Sequence, residues 1–241
     1  DNAFTGQLSH ELGALPQLQG FFLYKNLFTG SLPSDLGNLS SLKFIYFNDN
    51  QFTGPLPSHL GQLQVLEEVL LFNNLFDGSL PSELSLCTAV RIFRLQGNKL
   101  LGPIENVFRG DMAVDHLDLS DNELSGSLPV SLFALPSIST IALSLNCFEG
   151  QLPPEMCAAR SVSVLSLDGL GAARDCKHTV TVPFSGVTLF NTLEGTIPTC
   201  VWALPLLQVL HLTGNGLTGS IYGHLPSNSS LTTLSLGRCQ H

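Results

Sequence analysis

His116 and Asp118 stand two apart in the stretch VDHLDLSDN, and Arg94 lies 24 residues before Asp118. A histidine beside a carboxylate is the start of a general-base pair, and a guanidinium close by could hold an oxyanion. Nothing in the sequence completes that machinery. There is no nucleophile elbow, no HExxH pair and no glycine loop of phosphate-cradling spacing. The segment DLSDNELSG approaches a calcium loop, but Glu123 occupies the place where such a loop needs glycine. Cys176 and His178 offer two metal donors where a zinc site wants four. These residues read as polar surface, and the chain as a non-enzyme with no cofactor or metal.

The cysteines suggest chemistry of another kind. Of Cys87, Cys147, Cys157, Cys176, Cys200 and Cys239, five follow residue 140. In an oxidising compartment that clustering means local disulfide stapling. Cys147, Cys157, Cys176 and Cys200 are the disulfide candidates, with Cys176 expected to bond one of the other three; four cysteines allow three connectivities. Cys87 reads as a buried thiol and Cys239 as a structural substitute at an asparagine position. Two sequons, Asn38-Leu39-Ser40 and Asn228-Ser229-Ser230, mark Asn38 and Asn228 as glycosylation candidates. Together these features point to the secretory pathway and an extracellular or cell-surface location.

Composition narrows the partners. With 44% hydrophobic and 12% charged residues, the 241-residue chain can bury a core. A net charge of −9 argues against nucleic acid, which needs clustered Lys and Arg. It argues more weakly against an anionic membrane surface. The apolar run VWALPLLQVL is too short to span a bilayer and is broken by Pro205.

The elements that must position all these residues are set by a strict period. Asparagine recurs at 2, 26, 50, 74, 98, 122 and 146, and glycine follows each by four residues, from Gly6 to Gly150. Before each later Asn runs L-x-x-φ-x-φ-x-x-N (φ, apolar), as in LKFIYFNDN and LEEVLLFNN. The alternating φ-x-φ segment predicts a short strand with one face inward. Repetition stacks these strands in parallel, so no coil is stable alone. The Asn side chain is expected to satisfy backbone groups inside the turn, at about 1–3 kcal/mol per site. Gly and Pro then redirect the chain along the convex side. This is a leucine-rich repeat solenoid, an α/β fold of 24-residue coils with one parallel concave sheet.

The second half of each coil, N-x-φ-x-G-x-φ-P-x-x-L, resembles the plant-type leucine-rich repeat of receptor-kinase and receptor-like ectodomains and of polygalacturonase-inhibiting proteins. Ser9, Glu105 and Tyr222 depart from it by replacing the proline. The resemblance implies extracellular, non-enzymatic recognition of a protein, peptide or glycan. It also admits inhibition of a secreted enzyme. A rigid spacer or assembly subunit in a larger complex is the structural alternative.

The period breaks once. The asparagine due at 170 is Leu170, and the rhythm resumes at Asn191, 45 residues after Asn146, which leaves an insertion of about 21 residues within 168–190. Insertions in repeat proteins emerge as loops and often carry binding. The chain is expected to form a single solenoid segment over residues 1–241, part of a longer protein, because neither end offers a polar cap. A further chain or a partner would cover those ends.

The residues beside the inward ones face the concave surface. By coil they are Gly20, Phe22 and Tyr24; Phe44, Tyr46 and Asn48; Glu68, Leu70 and Phe72; Ile92, Arg94 and Gln96; His116, Asp118 and Ser120; then mostly small residues. Aromatic residues on a solvated face mark an interaction site, unless they only pack on one another and cover the sheet. The expected binding residues are Phe22, Tyr24, Phe44, Tyr46, Phe72, Arg94, His116 and Asp118.

Overall fold

A computed structural model describes residues 2–169, 176, 180–181, 188–189, 193–221, 227 and 229–237. Two parallel sheets, each of nine strands among the described residues, run the length of the solenoid. The front sheet, the predicted concave one, is built from the φ-x-φ segments Gly20–Phe22, Phe44–Tyr46, Glu68–Leu70, Ile92–Arg94, His116–Asp118, Thr140–Ala142, Val164–Ser166, Val209–His211 and Thr233–Ser235. They number coils one to nine. Their middle residues, from Phe21 and Ile45 to Leu210 and Leu234, turn inward, and those of coils two to eight are buried.

The second sheet lies just past each asparagine, over segments such as Leu27–Gly30, Gln51–Gly54, Leu75–Gly78 and Lys99–Gly102. Glycine and proline do more than redirect the chain here: N-x-φ-x-G carries a second alternation that places every other residue inward and builds a strand. Phe28, Phe52 and Phe76 fill that position and stack 6.0 Å apart.

The asparagines sew the coils together. Asn74 Oδ1 accepts from the Phe52 amide at 3.1 Å, while its Nδ2 donates at 3.0 Å to both Phe47 O and Leu71 O. The same three partners, shifted by a period, surround Asn50, Asn98, Asn122 and Asn146. Each amide thus bonds two successive coils and satisfies groups that neither ladder reaches. The residue before each Asn enters the left-handed region: Asp49, Asn73, Gly97 and Asp121 tolerate it, and Leu145, at φ 57°, does so against its steric preference.

Past the second sheet the chain forms five-residue 3₁₀ helices, including His10–Ala14, Ser34–Asn38, Ser58–Gln62 and Ser82–Leu86. Proline precedes the last three and fixes their entry. They stack closely because glycine lines the contact. A Cβ on Gly61 would lie 2.4 Å from Glu83 O, and one on Gly37 2.4 Å from His59 O. The corresponding residue in the fourth helix is Ser85, where the following coil makes a turn instead of a 3₁₀ helix.

Both sheets continue past the insertion. Gly169 N still donates to Thr213 O at 2.7 Å, so the chain keeps its register one residue further than the expected start at 168. Behind the insertion, Val164 pairs with Val209 and Gly150 with Leu193. Its described backbone includes an antiparallel pair, Val180–Thr181 with Thr188–Leu189. One disulfide ties it to coil six and another spans it. Cys176 bonds Cys147, beside the asparagine turn of coil six, and Cys157 bonds Cys200 between consecutive 3₁₀ helices. Cys87 is free and buried, and burial pushes its thiol up to about 11. Leu170, His178, Asn191, Tyr222, Asn228 and Cys239 lie outside the described residues.

Candidate functional site

The front sheet sorts its outward side chains into registered rows. Phe22, Tyr46, Leu70, Arg94, Asp118, Ala142, Ser166, His211 and Ser235 align in one. Gly20, Phe44, Glu68, Ile92, His116 and Thr140 begin its neighbour. Since the strands are parallel and evenly spaced at about 4.8 Å, each row is a ruler along the solenoid axis.

The aromatic end lies in coils one to three. Phe22 and Tyr24 are 52% and 47% exposed. The Phe22 ring meets Tyr46 edge-on with centroids 4.9 Å apart, and Phe44 meets the same tyrosine at 6.3 Å. Phe22 folds back over Gly20: a Cβ there would stand 2.6 Å from its Cζ. The sequence carries this signal as a glycine where later coils have a large residue. Tyr46 Oη donates to Glu68. Burial first, then that hydrogen bond and the carboxylate charge, push the phenol up to about 12, so Tyr46 stays a donor at every physiological pH.

Coil four adds a cation. The Arg94 guanidinium sits over the Phe72 ring, 5.2 Å from its centroid. Coil five does not form the pair that its spacing suggested. Asp118 Oδ1 accepts from the Ser120 amide at 3.1 Å and from the Ser120 hydroxyl. His116 turns instead toward Ser139 Oγ at 3.3 Å and Asp115 at 3.4 Å. Asn48, placed on this face by its position, is buried and donates to Asp49.

The far end is polar and internally bonded. Ser144 and Ser166 share a hydroxyl hydrogen bond at 2.8 Å. Asp168 accepts from the Thr213 amide at 2.6 Å and lies 3.5 Å from His211 Nδ1. Asp168 thereby joins coils seven and eight across the base of the insertion. Among the described residues, no cluster of three or more His, Cys, Asp or Glu could hold a metal. Among the described residues, no helix is long and apolar enough to cross a membrane.

The front sheet therefore changes along its length from aromatic to charged to polar. Phe22, Tyr46 and Phe44 are in ring contact, Arg94 lies over Phe72, Tyr24 is exposed at the same end, and Asp118 is in register beyond Arg94. His116 faces the adjoining row.

The Leucine Rich Repeat family model matches residues 41–63 and 114–135. Among curated proteins, none matches this chain in sequence. Solved structures do match. A TDR receptor superposes with a TM-score of 0.84 at 27% identity, over 98% of this chain and 38% of that one. The Arabidopsis receptor kinase HAESA, solved with the peptide hormone IDA and a co-receptor, gives 0.82 at 27% identity, over 99% of this chain and 36% of that one. A plant ice-binding protein shares the fold at 22% identity, with a TM-score of 0.65, over 100% of this chain and 79% of that one. This chain thus spans little more than a third of the length of the two receptors. By its 24-residue consensus, its paired parallel sheets and these likenesses, the chain is a plant-type leucine-rich repeat protein.

Proposed function

We propose that the chain is an extracellular recognition module that binds a protein, peptide or glycan along its front sheet, with the aromatic end as anchor. The observation that carries this reading is the exposure of Phe22 and Tyr24 at the end of the sheet where Phe22, Tyr46 and Phe44 form a chain of ring contacts. Aromatic side chains supply large contact area at low entropic cost, and they dominate binding hot spots. A peptide is the favoured ligand class, because HAESA, 27% identical over nearly the whole chain, was solved holding one. The extracellular setting is supported by the two disulfides and by Asn38, which is exposed at the end of its 3₁₀ helix, away from the front sheet.

The test is a random dodecapeptide library displayed on phage and panned on the full chain. Selected peptides are then measured against the Tyr24→Ala, Tyr46→Ala double variant. Affinity is expected to fall at least tenfold, while Tm moves by only a few degrees. A large loss of Tm with affinity intact would assign these rings to covering the sheet instead.

A further inference from the structure

The residue just before each front strand forms a row of its own, on the flank of the sheet. Its backbone is a continuous ladder. Glu67 N donates to Lys43 O at 2.8 Å, Arg91 N to Glu67 O at 2.7 Å and Asp115 N to Arg91 O at 2.8 Å. Four charged side chains thus stand on consecutive rungs, about 4.8 Å apart along the solenoid. Their signs alternate over coils two to five, and the charge is confined to them: Gln19 precedes the four and Ser139 follows. The row does not neutralise itself. Lys43 Nζ reaches Glu67 Oε1 at 2.8 Å, and Asp115 lies 3.4 Å from His116 Nδ1. Arg91 is exposed on the rung between two acids, yet among the described residues it makes no ion pair. Two residues before Glu67, Val65 is 40% exposed, and its counterpart in the next coil is the smaller Ala89.

We infer that this flank is the contact surface for a second copy of the chain, packed antiparallel about a two-fold axis between coils three and four. The pattern of signs selects that arrangement. Plus, minus, plus, minus read backwards becomes minus, plus, minus, plus. Lys43 therefore faces the partner's Asp115 and Glu67 faces the partner's Arg91, and symmetry makes each contact twice. The same reversal sets Val65 against the partner's Ala89, a larger side chain on a smaller one. A parallel pair would set every charge on its like, and so would an antiparallel pair slipped by one coil. A slip of two coils would halve the number of opposite pairs. The register is thus specified by four side chains. Exposed ion pairs are individually weak and each copy carries a net charge of −9, so the dimer is a modest one that strong salt disperses.

Sedimentation equilibrium of the full chain tests this at about 0.1 M salt, where a Debye length of about 10 Å damps the long-range repulsion. The wild type is expected to move from monomer to dimer as its concentration rises. Glu67→Lys and Arg91→Glu each set like charges in contact at two symmetric places, and each is expected to weaken association about tenfold or more. Both alter surface side chains and should keep the wild-type Tm. An equimolar mixture of the two variants is expected to restore the dimer, because each supplies the charge that the other lacks, and this recovery requires both to be folded. Arg94→Glu, the same charge reversal on the front sheet, leaves the wild-type association intact. A wild type that stays monomeric, single variants that associate as well as it does, a mixture that fails to recover, or an equal loss in Arg94→Glu overturns the contact. None of these outcomes bears on ligand recognition by the front sheet.

Discussion

Asn74 shows how much one side chain carries in a repeat. Its amide holds three backbone groups from two coils, all in the interior. Asn74→Ala leaves the Phe52 amide and a share of two carbonyls unsatisfied, and should cost about 3 kcal/mol. Asn26 has the same role at a wetter turn, bonding Phe4 and Leu23. Water can replace its amide, so Asn26→Ala should cost clearly less. Denaturant midpoints at unchanged slope measure both. Equal losses would mean that burial does not set the value of the ladder. The aromatic residues differ in kind, since Phe22 and Tyr24 keep half their surface in water, and removing it forfeits contact area for a ligand more than core packing.

At the level of elements, the convex helices stack only because glycine lets one backbone approach the next. Gly61→Ala would drive a Cβ against the Glu83 carbonyl. Backbone cannot yield as a flexible side chain can, so the expected cost is about 1–3 kcal/mol. Gly110→Ala is the control, because the nearest atom to its Cβ is Ala134 O at 3.9 Å. A thermal melt in which the two variants lose equal stability would show that the stack is loose. The period made the front strands and the Asn turns legible in the sequence. The second sheet was harder to read: its alternation is interrupted by a glycine that reads as turn chemistry, and its strands are stabilised by pairing with neighbouring coils.

Across the whole molecule, the insertion is where the repeat is broken; one disulfide joins it to coil six and the other spans it. Cys157–Cys200 closes a loop of 43 residues that contains the entire insertion. Replacing both with Ala should remove about 4 kcal/mol, chiefly by freeing the unfolded chain. Calorimetry of the oxidised parent and the variant measures this. An unchanged Tm would mean that the paired sheets alone hold the interrupted coil. Non-reducing mass spectrometry of the protein from its native source reads the same bonds directly and tests for glycan on Asn38.

The sequence by itself determined the repeat, the inward rows, the asparagine turns and the position of the insertion, because each depends on local spacing that every coil repeats. It also placed Phe22, Tyr46 and Arg94 on one face, since alternation in a strand leaves no other choice. Only the tertiary structure decided their partners. It paired Cys147 with Cys176 and Cys157 with Cys200 among three possible connectivities. It parted His116 from Asp118, gave Glu68 to Tyr46, and left Arg94 against a ring with no acid of its own. Such choices are made between coils, where side chains 22 to 45 residues apart compete for the same neighbour, and a one-dimensional pattern does not rank competitors.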